Sequence, residues 1–118
     1  MLSESETICA ALLAAPDVSS IIGARLYPNE PPVTAVFPCA VYAVSETPAG
    51  SADNLEAATS VTVDMEAYQK GRAWPLENAI RSVMIGLGYV RVYSRDAGMV
   101  GNNVHQVSMQ FQNVKEVE

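Results

Sequence analysis

Between Ser60 and Tyr68 the chain alternates strictly: Val61, Val63, Met65 and Ala67 fall between Thr62, Asp64, Glu66 and Tyr68. A period of two predicts a strand with one buried and one wet face. After the polar break Gln69-Lys70-Gly71-Arg72, the residues Leu76, Ile80, Val83, Met84 and Leu87 recur at helical spacing. Pro75 suits a first helical turn, where its missing N–H would have no partner. Glu77 can reach Arg81 one turn on, and Gly88 is a ready left-handed terminator. An amphipathic strand and an amphipathic helix each need the other's apolar face, so Thr59–Gly88 organises the chain.

The same reading extends to both sides. Ser3 to Ala15 is a helix, capped by Ser3 with Glu6 at capping-box spacing, and with Ile8, Leu12 and Ala15 as a stripe widened by Cys9 and Leu13. Pro16 ends or bends it, and Asp17–Gly23 supplies one or two further turns. Arg25–Pro28 is a short extended piece, and Asn29–Val36, with Pro31-Pro32, is an extended loop. Phe37–Ser45 is a strand whose two parities, Cys39/Val41/Ala43 and Ala40/Tyr42/Val44, are both apolar, so cover on both faces is expected. Pro38 should stand at its start. Thr47–Ala58 is a turn-rich connection, read as a mobile hairpin tip; loops of that length tend to be functional or disordered. Tyr89–Ser94 is a strand, with Val90 and Val92 expected inward and Tyr89, Arg91 and Tyr93 outward. Arg95–Asn103 is expected as a turn. Val104–Val114 is the last strand, with Val107, Met109 and Phe111 opposite Gln106, Ser108, Gln110 and Gln112. Residues 115–118 are expected to fray.

This order predicts an α+β fold in one domain spanning residues 1–118. A mainly antiparallel sheet of about four to five strands carries two main helices on one face, as a two-layer sandwich. The polar strand faces, with Thr62, Asp64, Glu66, Gln106, Ser108 and Gln110, are left to solvent or to another chain.

Composition narrows the function. The chain has 118 residues and a net charge of −6, without a Lys/Arg cluster, which argues against tight binding to a phosphate backbone. The acidity serves solubility, or a surface that must not stick to passing DNA. No run reaches the roughly 18 apolar residues of a membrane span. The acidic start lacks the basic segment of a signal peptide, so a cytoplasm-like compartment is expected. Cys9 and Cys39 are expected as two buried reduced thiols, with a disulfide as the alternative.

Candidate chemistry is sparse. His105 is the only histidine. It shares the parity of Val107, so it belongs at the core edge or in the turn, and no zinc spacing can be built around it. A Cys9 or Cys39 nucleophile with His105 as base is conceivable on paper. Asp64 and Glu66 share a strand face about 7 Å apart. They could bind a cation or act as acid and base, but a solvated or intersubunit acidic face is the favoured reading. Gly86-Leu87-Gly88 ends a helix instead of opening one, so it is no phosphate loop. Trp74 is expected to lid the core. Arg25 is either an anchor for the Pro-rich loop or a subunit contact, the latter favoured. No catalytic, cofactor-binding or metal residue is assigned, and no cofactor is expected.

Three segments carry a family resemblance: Leu12 to Pro28 (Leu-Leu-Ala-Ala-Pro-Asp-Val-Ser-Ser-Ile-Ile-Gly-Ala-Arg-Leu-Tyr-Pro), Phe37 to Tyr42 (Phe-Pro-Cys-Ala-Val-Tyr) and Val61 to Tyr68 (Val-Thr-Val-Asp-Met-Glu-Ala-Tyr), the last followed by a helix. The chain resembles the small tail-completion, or tail-terminator, proteins of long-tailed bacteriophages. In these a Gly-x-Arg-hydrophobic-Tyr-Pro segment precedes a Leu/Phe-Pro-Tyr-x-Val-Tyr-like strand. Cys39 stands where the family often has Tyr, and Tyr89–Val114 matches by pattern only. The resemblance implies a structural virion protein of the tail or neck, assembled in the host cytoplasm as a homo-hexameric ring. Such a ring caps the tail tube, stops its polymerisation and meets a head-side connector or stopper protein. DNA passes its lumen without specific binding, and no membrane is involved. The interaction residues expected under that reading are Arg25, Thr47, Ser51, Asp53, Asn54, Glu56, Asp64 and Glu66. The alternatives are a head-closure or stopper factor, or a small cellular binding module or enzyme built on Asp64, Glu66 and His105.

Overall fold

The computed structural model describes residues 4–31, 36–48, 58–71, 74–101 and 103–116. Among these, three helices and five strands follow in the order α1 (Glu4–Ala14), α2 (Pro16–Ile22), β1 (Leu26–Pro28), β2 (Cys39–Pro48), β3 (Ala58–Lys70), α3 (Trp74–Gly86), β4 (Val90–Gly101) and β5 (Val104–Glu116). The strands form one sheet in the order β1-β2-β3-β5-β4. Neighbours are antiparallel except β1 and β2, which run parallel. This is the expected α+β fold.

The period of two in β3 sorts the sheet. Val61, Val63, Met65 and Ala67 are buried and pack with Val107, Met109 and Phe111 of β5 against Ile8 and Leu12 of α1, Val18 and Ile22 of α2, and Leu76, Ile80 and Met84 of α3. All three helices therefore cover one face. Each fully buried side chain of this size contributes about 1.5–3 kcal/mol. Pairing across the ladder keeps parity, Met65 with Met109 and Val63 with Phe111, so a one-residue slip would expose the whole apolar set. The other face bears Thr62, Asp64 and Glu66 beside Gln112, Gln110 and Ser108. Thirteen-residue strands span about 43 Å at ~3.3 Å per residue, which gives the molecule its long axis of 53 Å.

Local chemistry accounts for the ends. Gly23, at φ 61°, closes α2. Gly88, at φ 95°, turns the chain out of α3, and the Tyr89 N–H returns to the Met84 carbonyl at 3.0 Å. The Ser3 cap lies outside the described residues. Pro75 sits at the start of α3 as expected, whereas Arg81 bonds Asn78 Oδ1 at 3.1 Å instead of reaching Glu77.

Several expectations are corrected. Tyr89, expected outward, is buried at 2% exposure, and Val90 and Val92, expected inward, are 69% and 48% exposed, whereas Arg91 and Tyr93 are exposed as expected. The residues 95–101, expected as a turn, continue β4 alongside β5. The β4 ladder shifts register between Arg91 and Tyr93, Asp96 and Gly98, and Met99 and Gly101, the last two beside glycines, as bulged strands do. Trp74 is 51% exposed and is no lid. Leu13 is exposed rather than part of the stripe. Thr47, Pro48 and Ala58, placed in the connection, belong to β2 and β3, and β5 runs on through Glu116.

Candidate interaction surface

The sheet face turned away from the helices is built by the residues that alternate with the core. Asp64 is exposed in the centre of β3, where its Oδ1 accepts from Gln110 Nε2 at 3.0 Å. Beside it Gln112 Nε2 donates to Thr62 Oγ1 at 3.5 Å. These cross-strand side-chain pairs tie β3 to β5 across the polar face and leave the Asp64 charge at the solvent.

Glu66 is half-buried and is not free in the manner of Asp64. Its Oε2 accepts the Tyr68 hydroxyl at 2.5 Å. Burial, and then the adjacent Glu66 carboxylate, push the Tyr68 phenol well above its ordinary value. The ring of Tyr68 meets Phe37 at a centroid distance of 5.9 Å. Here the open face becomes apolar: Cys39 and Val41 of β2 are buried, and Cys39 pairs with Tyr68 across the ladder. β2 is thus covered on both faces at this end, the outcome expected from its two apolar parities. Burial pushes the Cys39 thiol up, partly opposed by the Arg25 guanidinium. Cys9 and Cys39 are both free thiols.

Arg25 joins the helical layer to this corner. Its Nε donates to the Pro38 carbonyl at 2.8 Å and a terminal nitrogen to the Ile21 carbonyl at 3.4 Å. The guanidinium thus clamps the C-terminal turn of α2 to the entry of β2. Thr47 is exposed near the end of β2. Ser51, Asp53, Asn54 and Glu56 lie outside the described residues. Arg25, Thr47, Asp64 and Glu66 are therefore spread along the β2–β3 half of the sheet and converge on no cleft. His105 is half-buried at the start of β5, opposite Gln69 and Met99, and is not brought to Asp64 or Glu66. Among the described residues no group of three His, Cys, Asp or Glu side chains could hold a metal ion, and no single helix is long and apolar enough to cross a membrane.

A second region was not singled out by the sequence. β4 forms one rim of the sheet and exposes Val90, Val92 and Tyr93, with Arg91 and Arg95 among them. A concavity of about 420 Å³ opens there, lined by Tyr93, Ser94 and Arg95. Aromatic and arginine side chains around exposed apolar surface are the usual composition of a protein contact. The signal available in the sequence was Val-Arg-Val-Tyr itself, read as half-buried.

The family model for tail completion protein gp17 matches residues 6–115. The chain belongs to that family. It is a tail-completion protein, a structural component of the phage tail. A chain in the structure of the virion of a native gene transfer agent particle is similar in fold at 12% identity. It superposes with a TM-score of 0.69 over 93% of this chain and 92% of that one. No curated protein matches the sequence.

Proposed function

We propose that this tail-completion protein forms a homo-hexameric ring in the neck of the particle, assembled in the host cytoplasm. The ring caps the tail tube, ends its polymerisation and presents a surface to the head-side connector or stopper protein. DNA passes through its lumen. The observation that carries this reading is the family match over nearly the whole chain. The sheet supports it with one face closed by helices and the other left polar and open along the Thr62–Asp64 stretch of β3 and its β5 partners. Net charge of −6 suits a lumen from which DNA is repelled instead of held. The residues proposed for contacts with neighbours or tube are Thr47, Ser51, Asp53, Asn54, Glu56, Asp64 and Glu66, with Arg25 supporting that surface from within by clamping α2 to the entry of β2. Deleting Ala49–Asn54 should spare the fold and abolish assembly, and normal virions from that deletion would refute the role given to the loop.

The test is the solution mass at several concentrations, alone and with tail-tube protein. A hexamer-sized species, or rings that form only on tube ends, supports the terminator role. A monomer indifferent to tube protein overturns it.

A further inference from the structure

The sheet has two rims, and both leave backbone groups unpaired. On one side β1 pairs with β2 only over Ala40–Tyr42. It stops at Pro28, where Asn29 takes a φ of 68°. Among the described residues, nothing pairs with Ala43–Pro48 on that side. The Ala40 N–H bonds the Arg25 carbonyl and the Tyr42 carbonyl accepts from Asn29. Even-numbered residues of β2 therefore turn their backbone groups outward, and with a period of two Val44 and Glu46 do the same on the free stretch. On the other side, among the described residues, no strand pairs with the outer edge of β4. Its register shifts leave one regular run there, Tyr93–Asp96, paired residue for residue with Gln110–Val107.

We propose that neighbouring copies of this chain join edge to edge, the Tyr93–Asp96 edge of one β4 adding antiparallel to the Ala43–Pro48 edge of the next β2. This rests on the ring reading above and names the contact that closes the ring. Strand direction permits it. β2 and β5 run one way and β3 and β4 the other, so a neighbour's β4 beside β2 continues the alternation. Charge complementarity favours it on the uncovered face, where Arg95 lies within the run; on the helix-covered face Arg91 stands one register shift outside it, and the run itself carries Asp96. Tyr93 and Arg95 share the uncovered face with Asp64, and Arg91 shares the helix-covered face with Glu46. A continuous sheet therefore brings Arg95 toward the neighbour's Asp64 side and Arg91 toward its Glu46 side. All four side chains are exposed, and Arg95 and Glu46 hydrogen-bond to nothing among the described residues. Val90, Val92 and Tyr93 add apolar surface for the new contact to cover. Bulges usually protect an edge from open-ended pairing; here they limit the ladder to a short run. The contact is heterologous, the type that closes into rings.

Ser45 is exposed and shares the face of Tyr93 and Arg95, at a position whose own backbone groups point to β3. Mild oxidation of Ser45→Cys mixed with Tyr93→Cys or with Arg95→Cys should give covalent dimers in at least one mixture. Each variant alone, like the parent chain, should give none. Arg95→Glu should weaken assembly at least tenfold with an unchanged thermal melt, and adding Asp64→Arg should restore it. Hexamer-sized species without a cross-link in either mixture would overturn the edge contact and leave the ring standing. Cross-linking by one variant alone would mean a two-fold contact and would also overturn it. A chain that stays monomeric alone and on tail tubes overturns the contact and the ring together.

Discussion

The Tyr89 hydroxyl donates to Glu4 Oε1 at 2.5 Å, across a sequence separation of 85 residues. It ties the first turn of α1 to the entry of β4, two elements that share no ladder. Tyr89 is 2% exposed, so its hydroxyl depends chiefly on this bond within the protein. A buried hydrogen bond to a charged group is worth about 1.5–3 kcal/mol. Tyr89→Phe is expected to lose about that much stability in urea unfolding, with an unchanged m-value, because the aromatic packing is kept. Glu4→Gln should lose less, since the amide oxygen can still accept.

Alkali should unfold the protein through two phenols. Burial first, and then Glu4, raise the Tyr89 phenol far above its ordinary value of 10.0; burial and Glu66 do the same for Tyr68. A group whose folded pKa is raised holds its proton better in the folded state. Its stabilisation is complete below the unfolded value and is lost as pH climbs from there toward the folded value. Thermal midpoints should therefore hold steady approaching pH 10 and fall above it. Tyr68→Phe, which has no proton to lose, should flatten the fall. A fall of the same steepness in Tyr68→Phe would remove that phenol from the explanation.

The gap between sequence and structure is clearest at β4. Core parity in β3 and β5 was legible because Val61–Ala67 and Val107–Phe111 alternate without interruption. Val90-Arg91-Val92-Tyr93 carries the same alternation, yet its valines face water. Two causes are local. Tyr89 is drawn inward by the turn at Gly88 and by Glu4, an acceptor invisible from its own neighbourhood. Val92 then sits in a register shift, between Arg91 opposite Phe111 and Tyr93 opposite Gln110, which flips the parity behind it. The glycines at 98 and 101 read as a turn because their strand conformation depends on pairing with β5, a contact that propensity does not carry. On the surface, Asp64 and Glu66 were readable as one acidic strand face, but the capture of Glu66 by Tyr68 was not. The β4 rim was missed because β-branched residues suggest burial in any single-sequence reading.

Gly88 gives a sharper test of the α3–β4 junction. Its φ of 95° disfavours any side chain, and an added Cβ would stand 3.3 Å from Asn113 Nδ2. The left-handed conformation costs a non-glycine residue about 1–2 kcal/mol. Gly88→Ala should therefore destabilise by about that amount or somewhat more. Combining it with Asn113→Ala should recover only the part due to the close approach. A neutral Gly88→Ala, measured by denaturant midpoint, would contradict this turn geometry.

Arg25 separates an internal role from an assembly role. Its guanidinium serves two carbonyls of its own chain, Pro38 and Ile21, and the second lies at the C-terminal end of α2, where a cation is favoured. Losing both bonds in Arg25→Ala should cost about 1–3 kcal/mol in the monomer. Arg25→Lys should recover only part, because an ammonium cannot reproduce a planar fork aimed at two acceptors. If Arg25 instead acts chiefly at a subunit contact, Arg25→Ala would leave the unfolding midpoint of the monomer in place and reduce only the hexamer-sized fraction. The two measurements, denaturant midpoint at dilute protein and sedimentation at high protein, move independently. The geometry of the clamp predicts that the first falls with Ala and that any loss of assembly follows from it.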